Sequence, residues 1–507
     1  MTEPLRLEDY VRRTLLARVY DVAVETPLEE MSQLSRRFKN RIWLKREDLQ
    51  PVFSFKIRGA YNKVAQLTRE EQQKGVICAS AGNHAQGLAL SASRLGIRGT
   101  IVMPQTTPDI KVNAVKALGG HVVLHGDVFD EAATYARQLA AEKGYSFIHP
   151  YDDLDVIAGQ GTVGLEILRQ HAGPIDAIFI PVGGGGLMAG IAAYVKYLRP
   201  DIRIIAVEPE DAACLDAAMK AGERVVLPQV GLFADGVAVA QIGEETFKVA
   251  RQCVDEVITC STDEICAAIK DIFEYSRSIA EPAGALSLAG LKKYVQKHGV
   301  EGQTLIAIDS GANMNFDRLR HISERTELGE KREAIFAVTI PEKPGAFRTF
   351  CQTLGKRNIT EFNYRYADHN DAHVFVGIQL RGGDAERQEL RDTLEKKGYR
   401  VLDLSDDEMA KLHIRHLVGG HAGLADEHLY RFEFPERPGA LLNFLSRLGG
   451  HNISLFHYRN HGDAFGRVLV GMQVGKKTKA DLVASLDAVG YPWSEETGSP
   501  AYQLFLR

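Results

Sequence analysis

The chain has 507 residues, more than one ordinary domain holds, and its 45% hydrophobic, 25% charged composition is that of a globular protein with an ample core. A formal net charge of -5 leaves no basic excess for a nucleic-acid partner, and no apolar run is long enough to predict a membrane span. The six cysteines, Cys78, Cys214, Cys253, Cys260, Cys266 and Cys351, form no CxxC pair, so buried thiols are expected and a metal site is not.

The first twenty residues mix acids and bases without a continuous apolar region, unlike a secretory signal, which points to a cytoplasmic protein. The first informative stretch is FSFKIRGA, residues 53 to 60. Ser54 is a good N-cap, and Ile57, Tyr61, Val64 and Leu67 recur at helical spacing, which predicts a helix beginning near Phe55. Lys56 and Arg58 then fall in the first turn, where the positive end of the peptide dipoles disfavours ammonium groups. The helix start and the neighbouring guanidinium are both expected to lower the amine's pKa toward the neutral form that nucleophilic chemistry requires. Lys56 is therefore a candidate nucleophile, set against the plain alternative of a solvated surface lysine.

From residue 76 to 310, short β-branched runs alternate with helical patterns, which predicts parallel sheets covered on both faces. Ligands of such sheets sit at the carboxyl ends of the strands. Three glycine-bearing loops satisfy that description: SAGNHAQG, GGGGL and SGAN. In the first, the backbone from Ser80 to His84 runs from a strand end into a helix start and suits a carboxylate, although Asn83 and His84 could simply cap that helix. In the second, a strand ends at Val182 and a helix starts near Leu187, so several free N–H groups converge on one point. A single phosphate belongs there; four consecutive glycines exceed what a tight turn needs. The same loop contains a GxGxxA pattern, Gly184, Gly186 and Ala189, with Glu208 about twenty residues on, so a dinucleotide-linked oxidoreductase is a competing reading. That reading leaves Lys56 without a role, whereas a lysine beside a monophosphate pocket suits pyridoxal phosphate, which condenses with amines.

A charged stretch, RHISERTELGEKREA, follows at 320 to 334 and lacks the apolar pattern of a core helix, so it reads as a neck. Beyond it, residues 341 to 380 align without a gap on 435 to 474, keeping both prolines, the glycine, Asn358 with Asn452 and Tyr364 with Tyr458. Each copy reads as βαββαβ, the ferredoxin-like plan. The expected limits are a catalytic domain at 1–322, a neck at 323–333, one module at 334–406, a linker at 407–427 and a second module at 428–501.

SFKIRGAY, ASAGNHAQG, VGGGGLMAG and DSGANMNF resemble, in order and spacing, the motifs of the serine/threonine dehydratase family of fold type II pyridoxal-phosphate enzymes. The duplicated module is similar to the paired ACT-like domains of its biosynthetic members. The resemblance covers nearly the whole chain. It implies a tryptophan synthase β-like α/β catalytic domain followed by two α+β ACT-like domains. The implied reaction is the α,β-elimination of L-threonine to 2-oxobutanoate and ammonia, with L-serine giving pyruvate. Lys56 would hold the cofactor as a Schiff base and Asn83 would bond its ring 3' oxygen. Gly183, Gly184, Gly185, Gly186 and Leu187 would bind the phosphate, and Ser310 would meet the pyridine nitrogen, unless it serves as an N-cap. Ser80, Ala81, Gly82 and His84 would hold the substrate, with the Ser80 hydroxyl as a second catalytic candidate. Serine racemases carry a second serine where Ala81 stands, and a methyl group there removes the acid that racemisation needs. The resemblance also implies a homotetramer inhibited by isoleucine and opposed by valine, with Tyr364 and Tyr458, beside Arg365 and Arg459, as candidate effector contacts. A serine racemase, a catabolic dehydratase and a non-enzymatic amino-acid sensor stay as alternatives.

Overall fold

The computed structural model describes residues 5–341, 349–350, 353–355, 357, 359–366, 371–416, 427–435, 452–459, 465–473 and 479–506. The chain divides into two units, residues 1–316 and 317–507. In the first unit the strands are β1 (Leu28–Glu30), β2 (Arg41–Arg46), β3 (Val76–Ala79), β4 (Gly99–Met103), β5 (His121–Leu124), β6 (Ser146–Phe147), β7 (Ala177–Pro181), β8 (Arg203–Pro209), β9 (Glu256–Cys260) and β10 (Thr304–Asp309). They form one sheet in the order β1-β2-β10-β7-β8-β9 and a second in the order β5-β4-β3-β6. All pairs are parallel except β1 with β2. Strands β3, β4, β7 and β10 are buried along their whole length, as continuous apolar runs covered on both faces must be.

Two helices, Lys56–Ala65 and Leu154–Gln170, meet at paired glycines. A Cβ on Gly59 would lie 2.7 Å from the Val156 carbonyl oxygen, and one on Gly159 would lie 2.6 Å from the Gly59 Cα, so the backbones touch. Beside that contact Arg58 is fully buried. Its guanidinium donates to Glu47 at 2.7 and 2.8 Å and to Glu166 at 2.6 and 2.9 Å. Lys45 Nζ donates to Glu166 at 2.6 Å and to the Thr26 carbonyl at 2.6 Å. Burial opposes ionisation of Glu47, but Arg58 more than offsets it and holds the carboxyl below its usual range.

The charged stretch 320–334, whose sequence lacks the apolar pattern of a core helix, is helical over most of its length: it lies in the helix Arg318–Gly329 and enters β11 (Glu333–Pro341). Its sequence offers few apolar anchors besides Ile322 and Leu328, both buried; the rest is held by charges. Arg325 donates to Glu408 at 2.5 Å, and Arg415 donates to Glu333 at 2.9 and 3.0 Å and to the Glu324 carbonyl at 3.2 Å. The linker expected at 407–427 likewise begins as a helix, Glu408–Leu412.

The remaining strands are β12 (Ile359–Tyr366), β13 (Asp371–Gln379), β14 (Arg400–Asp403), β15 (Glu427–Pro435), β16 (Asn452–Arg459), β17 (Phe465–Gln473) and β18 (Trp493–Glu495). They form two four-stranded sheets, β12-β13-β11-β14 and β16-β17-β15-β18, each with the strand order of the ferredoxin-like plan. The duplication is preserved in the register. Tyr364 opposes Val374 and Tyr458 opposes Val468, and each copy breaks register at the same place, Ile359/Glu361 and Ile453/Leu455. A shared core joins the modules, with Ile335, Phe375 and Met409 packed with Leu429, Leu469 and Tyr502. Cys351 lies outside the described residues; the other five cysteines are buried thiols.

Glu166→Gln is expected to cost about 3 to 5 kcal/mol, because it leaves Lys45 and Arg58 buried with one carboxylate between them. A denaturant midpoint equal to the parent's would show that the network is dispensable.

Candidate active site

The approach to Lys56 is stitched to the loop after β10. Ala312 N donates to the Phe53 carbonyl at 2.9 Å and Phe55 N donates to the Ser310 carbonyl at 3.2 Å. Phe53 takes a φ of 54°, a left-handed conformation that a phenylalanine rarely adopts. Phe55, not Ser54, is the residue at the helix boundary, and no side chain caps the helix. The Ser54 hydroxyl is instead buried without a partner among the described residues.

Lys56 Nζ donates to the Pro150 carbonyl at 3.1 Å and lies 5.2 Å from the centre of the Phe55 ring. Burial pushes its pKa down from the usual 10.5 to about 8, against the opposing charge of Glu281. The expectation that Arg58 depresses this amine is not met. Its guanidinium is neutralised by Glu47 and Glu166, so desolvation is the lever.

The glycine loop joins β7 to the helix Gly186–Leu198. Every glycine in it is crowded. A Cβ on Gly183 would meet the Val237 Cα at 2.8 Å, on Gly184 the Tyr151 ring at 2.2 Å, on Gly185 the Ile242 side chain at 2.7 Å, and on Gly186 Tyr151 at 3.0 Å. The Gly184 carbonyl is tied back by Thr246 Oγ1 at 2.7 Å and by Gly243 N at 3.3 Å. Among the described residues no acceptor takes the N–H groups of Gly183, Gly184, Gly185, Gly186 or Leu187. They form a preset anion seat at a helix start. Glu208, the acid a dinucleotide reading requires, is turned inward and accepts from Leu215 N at 2.7 Å and Asp216 N at 2.8 Å. It has no reach toward a ribose.

The loop after β3 enters the helix Asn83–Arg94. Gly82 N donates to Ser80 Oγ at 3.2 Å, while Ser80, Ala81, Gly82 and Asn83 all keep some exposure. Neither Asn83 nor His84 caps the helix, since Gly82 occupies that position. His84 Nε2 lies 3.0 Å from the Ile148 carbonyl, so that nitrogen carries the proton and the buried Nδ1 is left without a partner among the described residues. Burial, with Lys56 nearby, pushes its pKa down to about 3 and keeps the ring neutral.

Asn83 Nδ2 donates to Glu281 Oε1 at 2.5 Å, and Asn83 Oδ1 accepts from Asn313 Nδ2 at 2.7 Å. Ser310 is buried, with its hydroxyl donating to the Ala283 carbonyl at 3.2 Å; it is not an N-cap, because no helix starts there. Its neighbour Asp309 is fully buried, and burial beside Asp48 pushes its pKa up.

One short segment gathers the motifs. Ile148 receives His84, Pro150 receives Lys56, and Tyr151 backs the glycine loop. Asp152, the next residue, accepts from Glu244 N at 2.8 Å and Glu245 N at 2.9 Å, anchoring the helix that carries Thr246. Sequence reasoning missed this segment, Glu281 and Asn313. Glu281 shows only as an acid before a proline at a helix start, a capping signature, and HPYDD carries no pattern at all. Tyr364 and Tyr458 belong to the second unit, and their side chains lie outside the described residues. Among the described residues no group of histidine, cysteine or acidic side chains could hold a metal, and no helix is long and apolar enough to cross a membrane.

The family model of pyridoxal-phosphate dependent enzymes matches residues 19–311, and that of the C-terminal regulatory domain of threonine dehydratase matches twice, at 324–414 and 418–506. The biosynthetic L-threonine dehydratase IlvA of Escherichia coli is 55% identical over 500 residues, 98% of this chain and 97% of the relative. That of Burkholderia multivorans is 54% identical over 503 residues, 98% and 99%. The chain belongs to the biosynthetic threonine dehydratase family. This dehydratase is thus a pyridoxal-phosphate-dependent carbon–nitrogen lyase, with the fold type II catalytic unit and duplicated regulatory module expected from its motifs. The processed form of threonine deaminase isoform 2 from Solanum lycopersicum has a similar structure, at TM-score 0.62 and 50% identity, covering 63% of this chain and 92% of that one.

The residues of this dehydratase fit the cofactor. The five N–H groups form a cradle that a Cβ would fill, Lys56 offers a half-buried amine, and the Ser54 hydroxyl and His84 Nδ1 are buried polar atoms without partners among the described residues. Gly184→Ala forces its methyl into the Tyr151 ring, so the cradle must shift and lose charge-assisted donors. Pyridoxal-phosphate affinity is expected to fall by about tenfold or more, read by titrating the apoenzyme. Parental affinity would contradict the assignment of the cradle.

Proposed function

We propose that Lys56 is the amine that carries the cofactor and then serves as the base that removes the Cα proton of L-threonine, leading to 2-oxobutanoate and ammonia. The observation that carries this reading is a half-buried amine, depressed to about pKa 8 by desolvation, within the same unit as a glycine loop whose N–H groups suit a phosphate. When bound, pyridoxal phosphate supplies an aldehyde that condenses with amines and a ring that withdraws electrons from the substrate's Cα. Gly183, Gly184, Gly185, Gly186 and Leu187 would seat its phosphate, Asn83 would donate to its ring oxygen and Ser310 would serve its ring nitrogen. A hydroxyl at that last position holds no pyridinium proton as a carboxylate would, which favours prompt loss of the β-substituent over transamination.

Lys56, once free, takes the Cα proton, and the Pro150 carbonyl at 3.1 Å is a ready acceptor for the ammonium so formed. The N–H groups of Ala81, Asn83 and His84, with the Ser80 hydroxyl, hold the substrate carboxylate at a helix start, while the Ser80 and Gly82 N–H groups fix the loop by donating to the Val102 carbonyl at 3.1 Å and to Ser80 Oγ at 3.2 Å. Neutral His84 adds no charge there. Ala81 presents a methyl group, so the opposite face of the carbon lacks a proton donor and elimination prevails over racemisation. L-Serine follows the same route to pyruvate, because one methyl changes discrimination by only about 1 to 3 kcal/mol.

The repeated regulatory module supports isoleucine as inhibitor and valine as the opposing effector, bound by a homotetramer in the cytoplasm. Tyr364 and Tyr458, at matching register positions, are the proposed effector contacts. A coupling of about 1 to 3 kcal/mol between effector and catalytic states suffices for such control.

Borohydride reduction of the holoenzyme followed by peptide mapping is expected to place the pyridoxyl label on Lys56, and Lys56→Ala is expected to lose both label and threonine turnover. A label on another lysine would overturn the assignment.

A further inference from the structure

We propose that Asn313 is a positioning residue that sets the polarity of the Asn83 amide, and thereby decides that Asn83 presents a hydrogen-bond donor to the cofactor's ring oxygen. This rests on the assignment of Asn83 to that oxygen. The orientation follows from a fixed point. The Val52 carbonyl can only accept, so the Asn313 atom 2.7 Å from it is Nδ2. A primary amide nitrogen has two hydrogens, and the second is directed at the Asn83 side chain, also at 2.7 Å. The atom receiving it is therefore Oδ1, and Asn83 Nδ2 must occupy the other branch.

There, one hydrogen of Asn83 Nδ2 goes to Glu281 Oε1 at 2.5 Å. The other remains for the cofactor. Were the amide reversed, Asn83 Oδ1 would face the Glu281 carboxylate and the ring oxygen, two acceptors, and would repel both. Asn313 thus transmits the direction of a backbone carbonyl into the donor polarity of the site.

The anchor itself is rigid. Val52 precedes the left-handed Phe53, whose carbonyl accepts from Ala312 N at 2.9 Å, and Ser54 pairs with Gly311 in an isolated bridge. The same loop that carries Asn313 is therefore fastened to the segment leading into Lys56. Gly311 permits this closeness, since a Cβ on it would lie 2.8 Å from Glu281 Oε1 and 3.0 Å from the Phe53 carbonyl oxygen.

The test uses full-length holoenzyme and the pH titration of the bound cofactor's visible band, with threonine kinetics alongside. Asn313→Asp has the same shape but offers only acceptors, so Asn83 Oδ1 loses its donor and the amide is contested between the Glu281 carboxylate and the new one, which unsettles the hydrogen meant for the ring oxygen. The band's midpoint is expected to move by about one pH unit or more, and kcat to fall about tenfold or more with KM changed little, the scale of one lost hydrogen bond to a charged group. Asn83→Ala should move the band as well, and Asn83→Ala/Asn313→Ala should be no worse than Asn83→Ala alone. If Asn313→Asp does not fold, Asn313→Ala, which removes the donor to Asn83 Oδ1 and leaves Glu281 alone to hold the amide, is read by the same band. Parental midpoints in the Asn313 variants while Asn83→Ala shifts, or losses that multiply in the double variant, would overturn the relay. A band unmoved by Asn83→Ala would remove the Asn83 assignment and the relay with it.

Discussion

The chemistry depends on an amine partly withdrawn from water, at the first residue of a helix held by glycine packing and a buried ion-pair network. An ammonium group loses hydration when buried, and without a full counter-charge its proton is held less tightly. Lys56 meets that condition: its near neighbours are a carbonyl and an aromatic ring, and the charge of Glu281 only partly restores the ammonium form. Such a group would normally relax toward water. It is prevented from doing so two residues later, where Arg58 is locked between Glu47 and Glu166, and one residue beyond that, where Gly59 touches Gly159. Two positions in one helical turn, Lys56 and Arg58, thus carry opposite solutions for a desolvated cation, one without an ion-pair partner for reactivity and one fully paired for rigidity.

The remaining parts arrive from distant segments and are fixed by short contacts to backbone. The glycine loop is pressed by Tyr151 and Val237 and tied by Thr246, so its N–H groups are oriented before any phosphate is bound. Preorganised donors avoid reorganisation when charge arrives, which makes them worth more than the same donors in a flexible loop. The regulatory unit is built by its own means, with a duplicated register break and a core shared between its two sheets.

The alternating strands and helices, the phosphate loop and the duplication were legible because each leaves a local or periodic trace. GGGGL announces an anion seat, and a gapless repeat announces paired modules. What escaped lacked such a trace. The role of Arg58 was inverted, because Glu47 and Glu166, which neutralise it, lie far away in sequence. The helix Arg318–Gly329 was read as a neck because its buried face is built from ion pairs rather than an apolar stripe. Asn313 stood in a quoted motif, yet its function is a matter of which amide atom faces which, and no linear pattern encodes that.

The central claim is that burial alone makes Lys56 a nucleophile near neutral pH. It is tested most directly by the rate at which the apoenzyme condenses with pyridoxal phosphate as a function of pH. The account predicts a rate that reaches half its plateau near pH 8, the depressed value of the amine. A rate that keeps rising to the 10.5 of an ordinary lysine would contradict it.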